Sequence, residues 1–377
     1  MSFSILQPGR ILFGRGVAAQ AVGVVRGFGG RVLLVHGAAA ARADWLAEGL
    51  SGQGATVTRL SCGAEPTLEV LTGALAIGRA AAPDVVVALG GGAVIDLGKA
   101  LAALIPAPGD PMDHLEVVGK GLPLTADPVP FVAIPTTSGT GAEVTKNAVI
   151  GLPDHGRKVS LRDDRMIARV AIVDPALTDH CPRGVTLASG LDALTQVIEP
   201  YVSCKANAYT DAITLPAIAP GLAALMRLMD GEDAAARDAL AWTSFVGGLA
   251  LANAGLGAVH GFAGVIGGTT GAAHGAICGA LLGPVLAMNR ARTEGAARAR
   301  VDQVCAIMGA GLGVSPDDAP AALTAWARAA GLPRLVDLGL KPETHAAVAE
   351  ASLAASSMKG NPVPLSLADL VAVLDQA

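Results

Sequence analysis

Two of the chain's seven histidines, His260 and His274, stand fourteen positions apart in GAVHGFAGVIGGTTGAAHG, residues 257–275. From Ala239 to Asn289 the chain carries no Asp, Glu, Lys or Arg. A neutral imidazole in such a setting keeps one ring nitrogen free to bind a divalent metal. On one continuous helix the two rings would be separated by about 21 Å of rise, too far to share an ion. The glycine-rich GGTTG (267–271) is a helix breaker, so the chain is predicted to turn back there and bring the rings together. A third donor candidate, Asp192, lies in TLASGLDALTQVIEPYVS (186–203), where Gln196, four residues on, shares its helix face. Together these residues suggest a divalent metal site. The alternative left open by spacing is structural: core histidines, and an Asp192 that pairs with Ser189 as a cap at the start of a helix.

A second kind of chemistry is suggested by VVVALGGGAVIDLGKA (85–100), a buried strand followed by Gly90, Gly91, Gly92 and a helix bearing Asp96 and Lys99. Three glycines let the backbone turn sharply and approach a ligand, and the N–H groups opening the helix face an anion. The turn PTTSGTGAE (135–143) repeats the arrangement with Thr136, Thr137, Ser138 and Thr140. Each could be a tight structural turn, but two of them at predicted strand ends fall where doubly wound sheets bind nucleotides, which makes a dinucleotide the leading candidate.

These residues need a scaffold. RVLLVHG (31–37), DVVVALGGG (84–92), PFVAIPTTSGTG (130–141) and ARVAIVDP (168–175) read as buried strands, with helical spacing at 40–53 and 67–82. This is the βαβ signature of a parallel sheet covered on both faces. After Pro175 the pattern is helical throughout. The expected organisation is an α/β Rossmann-like domain over residues 1–180 and an all-α domain over 181–377. At 377 residues the chain is long enough for both.

Composition narrows the partners. A net charge of −5 with no basic run speaks against nucleic acid. Five scattered cysteines with no CxxC speak against a disulfide framework. The start MSFSILQPGR lacks the layout of a signal peptide, so a cytoplasmic location is expected. The uncharged stretch is long enough to raise the question of a membrane span, but Asn253, His260, GGTTG and His274 interrupt it, so buried core helices are expected and no membrane partner.

In their order along the chain, GGGAVIDLGK, PTTSGTGAEVT, ASGLDALTQVIEPYVS, GLGAVHGFAG, AAHGAICGALLGP and GNPVP (360–364) resemble the iron-containing, group III alcohol dehydrogenases over nearly the whole length. The resemblance implies the dehydroquinate synthase-like architecture: a Rossmann-like domain binding NAD or NADP, a helical domain, and a divalent metal in the cleft between. Asp192, His260 and His274 then correspond to metal ligands. Gly90, Gly91, Gly92, Asp96, Lys99, Thr136, Thr137, Ser138 and Thr140 correspond to the dinucleotide site, and Lys158 to a lysine near the nicotinamide ribose. It also implies a small alcohol or aldehyde as substrate, metal-centred hydride transfer without a dedicated protein acid or base, and a homodimer or larger assembly.

Three positions depart from the family pattern. Gln196 stands where a fourth ligand, a histidine, is usual, so its own ligation is open and zinc becomes an alternative to iron. Gly264 stands where a proton-relaying histidine is common. Gly37 stands at the end of the second strand, where NAD-preferring members carry an aspartate; with Arg42 nearby, this tilts the expectation toward NADP. Cys278 is expected to be packing. Rival readings are a nucleotide-binding relative that has lost metal and catalysis, and a dehydroquinate-synthase-like lyase, for which the basic residues of a phosphate pocket are missing from 239–289.

Overall fold

Runs such as VLLV (32–35) and VVVALG (85–90) show no alternation: every residue in them is apolar or glycine, as strands buried on both faces require. The computed structural model describes Ser2–Ala377 and divides it into two compact units. One comprises Leu6–Thr137 and Ala142–Thr178. The other comprises Asp179–Ala377, Ser138–Gly141 and Ser2–Ile5.

In the first unit, β1 (Arg10–Phe13), β2 (Arg31–His36), β3 (Thr56–Ser61), β4 (Val85–Gly90), β5 (Phe131–Pro135) and β8 (Val170–Val173) form one six-stranded sheet. Its order is β1-β8-β5-β4-β2-β3, with every pairing parallel. Val32, Leu34, Val85 and Val87 point into one core with α1 (Ala21–Arg26) and α2 (Asp44–Gly52). Leu33, Val35, Val86 and Ala88 point into the opposite core with α3 (Leu68–Ala81) and α4 (Gly92–Leu104). The period-2 alternation of side chains thus feeds two hydrophobic layers from one apolar run.

The strand order reverses between the adjacent parallel strands β2 and β4, the place where such sheets bind ligands. His36 registers with Leu89, Gly90 registers with Pro135, and the Thr136 N–H donates to the Gly90 carbonyl at 2.9 Å. Gly37, Gly90–Gly92 and Thr136–Thr137 therefore line up side by side at the carboxyl edge. The structure adds elements that hydrophobic runs did not reveal. β1 and β3 are the half-buried edges of the sheet. An antiparallel hairpin, β6 (Asn147–Leu152) with β7 (Arg157–Arg162), fills a stretch to which the sequence pattern assigned no element.

The second unit is helical: α5 (Arg183–Val202), α6 (Ala208–Asp230), α7 (Ala234–Ala254), α8 (Ala258–Thr270), α9 (His274–Arg292), α10 (Gly295–Leu312), α11 (Ala319–Ala329), α12 (His345–Leu353) and α13 (Leu367–Gln376). One local expectation is corrected. Helix α5 begins at Arg183, so Ser189 does not open it and Asp192 lies in its interior rather than its first turn. The GGTTG run does end a helix, as expected, but at its last glycine rather than its first. Helix α8 continues through Gly267 and Gly268 to Thr270, and the reversal falls at Gly271, whose φ of 71° ends it. A helical glycine costs about 1 kcal/mol relative to alanine, and the buried Ile266 and Gly267 flank of α8 outweighs that.

By length and composition α6 could cross a membrane, with half of its apolar window buried inside the protein. The uncharged stretch yields no straight span: α7 and α8 pass the same test only as a pair bent by 99°.

Candidate metal centre and nucleotide-binding edge

Helix α5 carries Asp192 into the core, where it is 1% exposed. Helix α8 brings His260 from its first turn, and α9 begins at His274. The turn at Gly271–Ala273 lets α9 pack back on α8, and the imidazole centroids lie 5.3 Å apart. Asp192 Oδ1 stands 3.2 Å from His260 Nε2 and 3.8 Å from His274 Nε2. It nevertheless has no hydrogen-bond partner, although it is fully buried. An orphaned carboxylate oxygen facing two ring nitrogens is what a cation site offers before its cation is counted.

The tautomer of His260 follows from its surroundings. Glu199, one helical turn below Gln196 on α5, accepts from His260 Nδ1 at 2.7 Å with Oε2 and from the Val259 N–H at 2.7 Å with Oε1. Nδ1 therefore carries a proton, and Nε2 is the nitrogen left to face Asp192. A carboxylate on the outer nitrogen of a histidine is the usual partner of a metal ligand. Asn361, within the GNPVP motif, accepts from the Ala258 N–H at 3.2 Å and forms a reciprocal amide pair with Asn289 at 2.7 and 3.1 Å. That pair holds the start of α8, and with it His260.

Burial disfavours charge on every donor, yet the group as a whole attracts cations. For His260, desolvation is outweighed by the sulfur of Cys278 and the carboxylates of Asp192 and Glu199, which raise its pKa well above the ordinary value. For His274 the same opposition, desolvation against Cys278 and Asp192, leaves a value of about 9. For Asp192, desolvation is overcome by the two imidazoles, and its pKa falls. Asp192, His260, His274 and Cys278 each offer one ligand atom, all within 4.8 Å of one another. The donors fit a divalent metal.

Gln196 does something different. Its Nε2 donates to the Gly139 carbonyl at 2.8 Å, fastening the Ser138–Gly141 segment to α5. In that segment an added Cβ at Gly139 would meet Ser189 at 2.8 Å. Gly141, at φ +57°, would meet the Gly248 backbone at 2.6 Å. Only glycine lets the segment lie this close to α5 and α7. Ser138 is buried there, and Thr140 sits in the same segment. At Gly264 an added Cβ meets nothing within 4 Å, so the missing histidine leaves open space.

At the sheet edge, no side chain caps α4. A Cβ on Gly90 would strike Val94 at 2.5 Å, and one on Gly91 would approach Thr137 Oγ1 at 3.2 Å, so the strand-to-helix turn is as tight as its three glycines suggest. Asp96 and Lys99, one and two turns into α4, look inward. Asp96 Oδ2 accepts from the Val149 N–H at 3.1 Å. Lys99 Nζ donates to Ala142 O at 2.6 Å, Thr145 Oγ1 at 2.9 Å and Asn147 O at 2.9 Å, which uses all three ammonium hydrogens. Lys158, on β7, pairs with Glu65 and is largely buried. Gly37 ends β2 with open space where a side chain would go, and the exposed Arg42 donates to Leu177 O at 3.2 Å.

Two supporting residues, Glu199 and Asn361, have no place in the sequence reading, and Cys278, expected there to be packing, stands among the donors. Glu199 had a signal, since it lies seven residues after Asp192 on one apolar helix face. Cys278 also had one, four residues after His274 in α9. Asn361 had none beyond its motif.

Replacing Glu199 with Gln is expected to keep the fold and lower metal affinity by roughly 10–100-fold, because the amide no longer secures the His260 tautomer as a carboxylate does. Metal-titration calorimetry on the stripped protein checks this. An unchanged affinity would remove Glu199 from the account.

Known proteins place this geometry in context. Residues 8–175 match the model of the iron-containing alcohol dehydrogenase family, and residues 186–377 match that of the Fe-containing alcohol dehydrogenase C-terminal family. The chain is 33% identical over 328 residues to the probable alcohol dehydrogenase EutG of Salmonella typhimurium, covering 86% of this chain and 81% of the relative. It is 35% identical over 311 residues to lactaldehyde reductase of Escherichia coli, covering 81% and 80%. Among solved structures, a 1,3-propanediol oxidoreductase superposes with a TM-score of 0.89 at 29% identity over the full length of both chains. An alcohol dehydrogenase from Oenococcus oeni does so with 0.89 at 26% identity, again over both full lengths. With both halves matched, this chain belongs to the iron-containing alcohol dehydrogenase family.

Proposed function

We propose that this protein is a metal-dependent, NAD(P)-linked alcohol dehydrogenase or aldehyde reductase acting on a small, uncharged alcohol or aldehyde. The observation that carries the reading is the convergence of Asp192 Oδ1 with the Nε2 atoms of His260 and His274, at 3.2 and 3.8 Å. When bound, a divalent ion supplies Lewis acidity to the substrate oxygen and the nicotinamide supplies or accepts the hydride. The chain's own residues hold and orient. Asp192, His260 and His274 would hold the ion, and Glu199 fixes His260. Gln196 serves the Ser138–Gly141 segment rather than the ion. Gly90, Gly91 and Gly92 bring the first turn of α4 to the cofactor pyrophosphate, where Thr136 and Thr137 add hydroxyls. Ser138 and Thr140 extend that hydroxyl set, and Lys158 serves the ribose. Asp96 and Lys99 act behind the turn, positioning the backbone at 142–149. The uncharged helices around His260 limit water at the reacting carbon, and with Gly264 where a relaying histidine is common the hydroxyl proton would pass to a bound water or the ribose hydroxyls rather than to a dedicated side-chain acid or base.

A neutral substrate suits a donor group whose flanking helices, over 239–289, carry no Lys or Arg to meet a carboxylate. The intact donor set weighs against a relative that has lost its metal. A cytoplasmic enzyme working as a homodimer or larger assembly, with no nucleic-acid partner, completes the proposal. The test is turnover of a panel of small aldehydes with NADPH and NADH, before and after chelator treatment and metal restoration. Metal-dependent turnover is expected. Nucleotide binding with no turnover in the metal-loaded protein would overturn the reading.

NADP is the expected cofactor. Gly37 puts no carboxylate where a 2′-phosphate would sit at the end of β2, and Arg42 lies five residues on. Gly37→Asp is accommodated by the open space around the glycine. It is expected to shift the NADPH/NADH preference toward NADH by at least about tenfold, the equivalent of roughly 1.4 kcal/mol. A ratio of kcat/KM values that does not move would refute the assignment.

A further inference from the structure

The family pattern counts four protein donors, yet the fourth position holds Gln196, whose side-chain nitrogen is engaged with Gly139. A different side chain completes the set. Cys278 is fully buried and lies one turn beyond His274 on the same face of α9, with Sγ 3.6 Å from His274 Nε2 and 3.8 Å from His260 Nε2. Resting on the metal reading above, we propose that Cys278 is the fourth protein ligand, so that this chain binds its ion through one oxygen, two nitrogens and one sulfur.

The spacing supports this on general grounds. Around a tetrahedral ion with metal–nitrogen bonds of about 2.05 Å and metal–sulfur bonds of about 2.3 Å, nitrogen and sulfur stand about 3.6 Å apart, and nitrogen and oxygen about 3.4 Å apart. The observed sulfur–nitrogen separations are 3.6 and 3.8 Å, and the oxygen–nitrogen separations are 3.2 and 3.8 Å. The buried Asp192 Oδ1, without a hydrogen bond, points into the same group. Asp192, His260 and Cys278 are all deeply buried, whereas the His274 side chain is 32% exposed, so the approach to the donors lies on the His274 side. A thiolate donor also suits zinc better than it suits a hard oxygen-seeking ion.

The experiment is cobalt(II) substitution of the chelator-stripped full-length protein, read by cobalt stoichiometry and by near-ultraviolet absorption. X-ray absorption on the zinc-loaded wild type is measured alongside. The expected result is about one cobalt per chain with a sulfur-to-cobalt charge-transfer band that disappears in Cys278→Ala and Cys278→Ser. A sulfur scatterer near about 2.3 Å is expected in the zinc form. If cobalt binds stoichiometrically without that band, Cys278 makes only a thiol hydrogen bond to the histidines and the proposal fails while the metal reading stands. A band that persists in both Cys278 variants assigns the sulfur to another cysteine and also overturns it. If no cobalt is taken up at all, the metal reading fails and this proposal with it. Should the variants not fold, the sulfur distance in wild type decides alone.

Discussion

Replacing His260 with alanine is expected to abolish both metal retention and turnover while leaving nucleotide binding intact. Lewis-acid assistance is worth several kcal/mol of transition-state stabilisation, and at about 1.4 kcal/mol per decade a loss of 4 or so corresponds to roughly a 10³-fold fall in kcat/KM. The consequences extend beyond one ligand. Glu199 Oε2 loses the imidazole N–H that it accepts at 2.7 Å, in a side chain only 4% exposed. An unsatisfied buried acceptor costs about 1–3 kcal/mol, so the melting temperature should fall as well. Elemental analysis, cofactor titration and steady-state kinetics on the same preparation separate these effects. Metal content near wild type with unchanged kcat/KM would remove His260 from the site. A chelator should reproduce the kinetic loss in wild type, and restoring metal should rescue wild type but not the variant.

The second large effect is one of stability, in the other unit. Lys99 is fully buried, and its three hydrogen bonds tie α4 to residues 142–147. Burial pulls its pKa down to about 8, while the fields of Asp96 and Glu143 resist, so the ammonium persists at neutral pH. Lys99→Met fills the same space but leaves Ala142 O, Asn147 O and Thr145 Oγ1 without their donor, and the half-buried Asp96 and buried Glu143 without a neighbouring cation. Removing one partner from a buried charge network costs about 3–5 kcal/mol, and that loss is expected in denaturant unfolding of the full chain. The strand-to-helix turn at Gly90–Gly92 sits on the same helix, so nucleotide affinity should fall too. A loss below about 1 kcal/mol would mean that Lys99 is not the strut described here.

Much of this was readable before any coordinates. The parallel sheet announced itself because strands buried on both faces must be continuously apolar, and the glycine turns because a backbone cannot approach a helix N-terminus so closely with side chains in the way. The all-helical second half followed from periodicity. The edge strands β1 and β3 and the β6–β7 hairpin did not announce themselves, because half-buried strands mix polar and apolar residues and can pass for loops. The start of α5 was misjudged from Ser189, since a local capping pattern cannot register that the residues before it are also helical and packed.

The sequence by itself determined which residues could bind a cation: two histidines in a stretch free of charge, joined by a chain reversal, and an aspartate on a separate apolar helix. It could not determine which donors would meet. Gln196 and Cys278 each lie four residues from a ligand and are equally placed by helical spacing. Only the packing of α5, α8 and α9 turned the amide toward Gly139 and the sulfur toward the imidazoles. Helical periodicity sets the face a side chain shares with its neighbours. The crossing of one helix over another sets what that face touches, and that depends on the whole core rather than on any local run of residues.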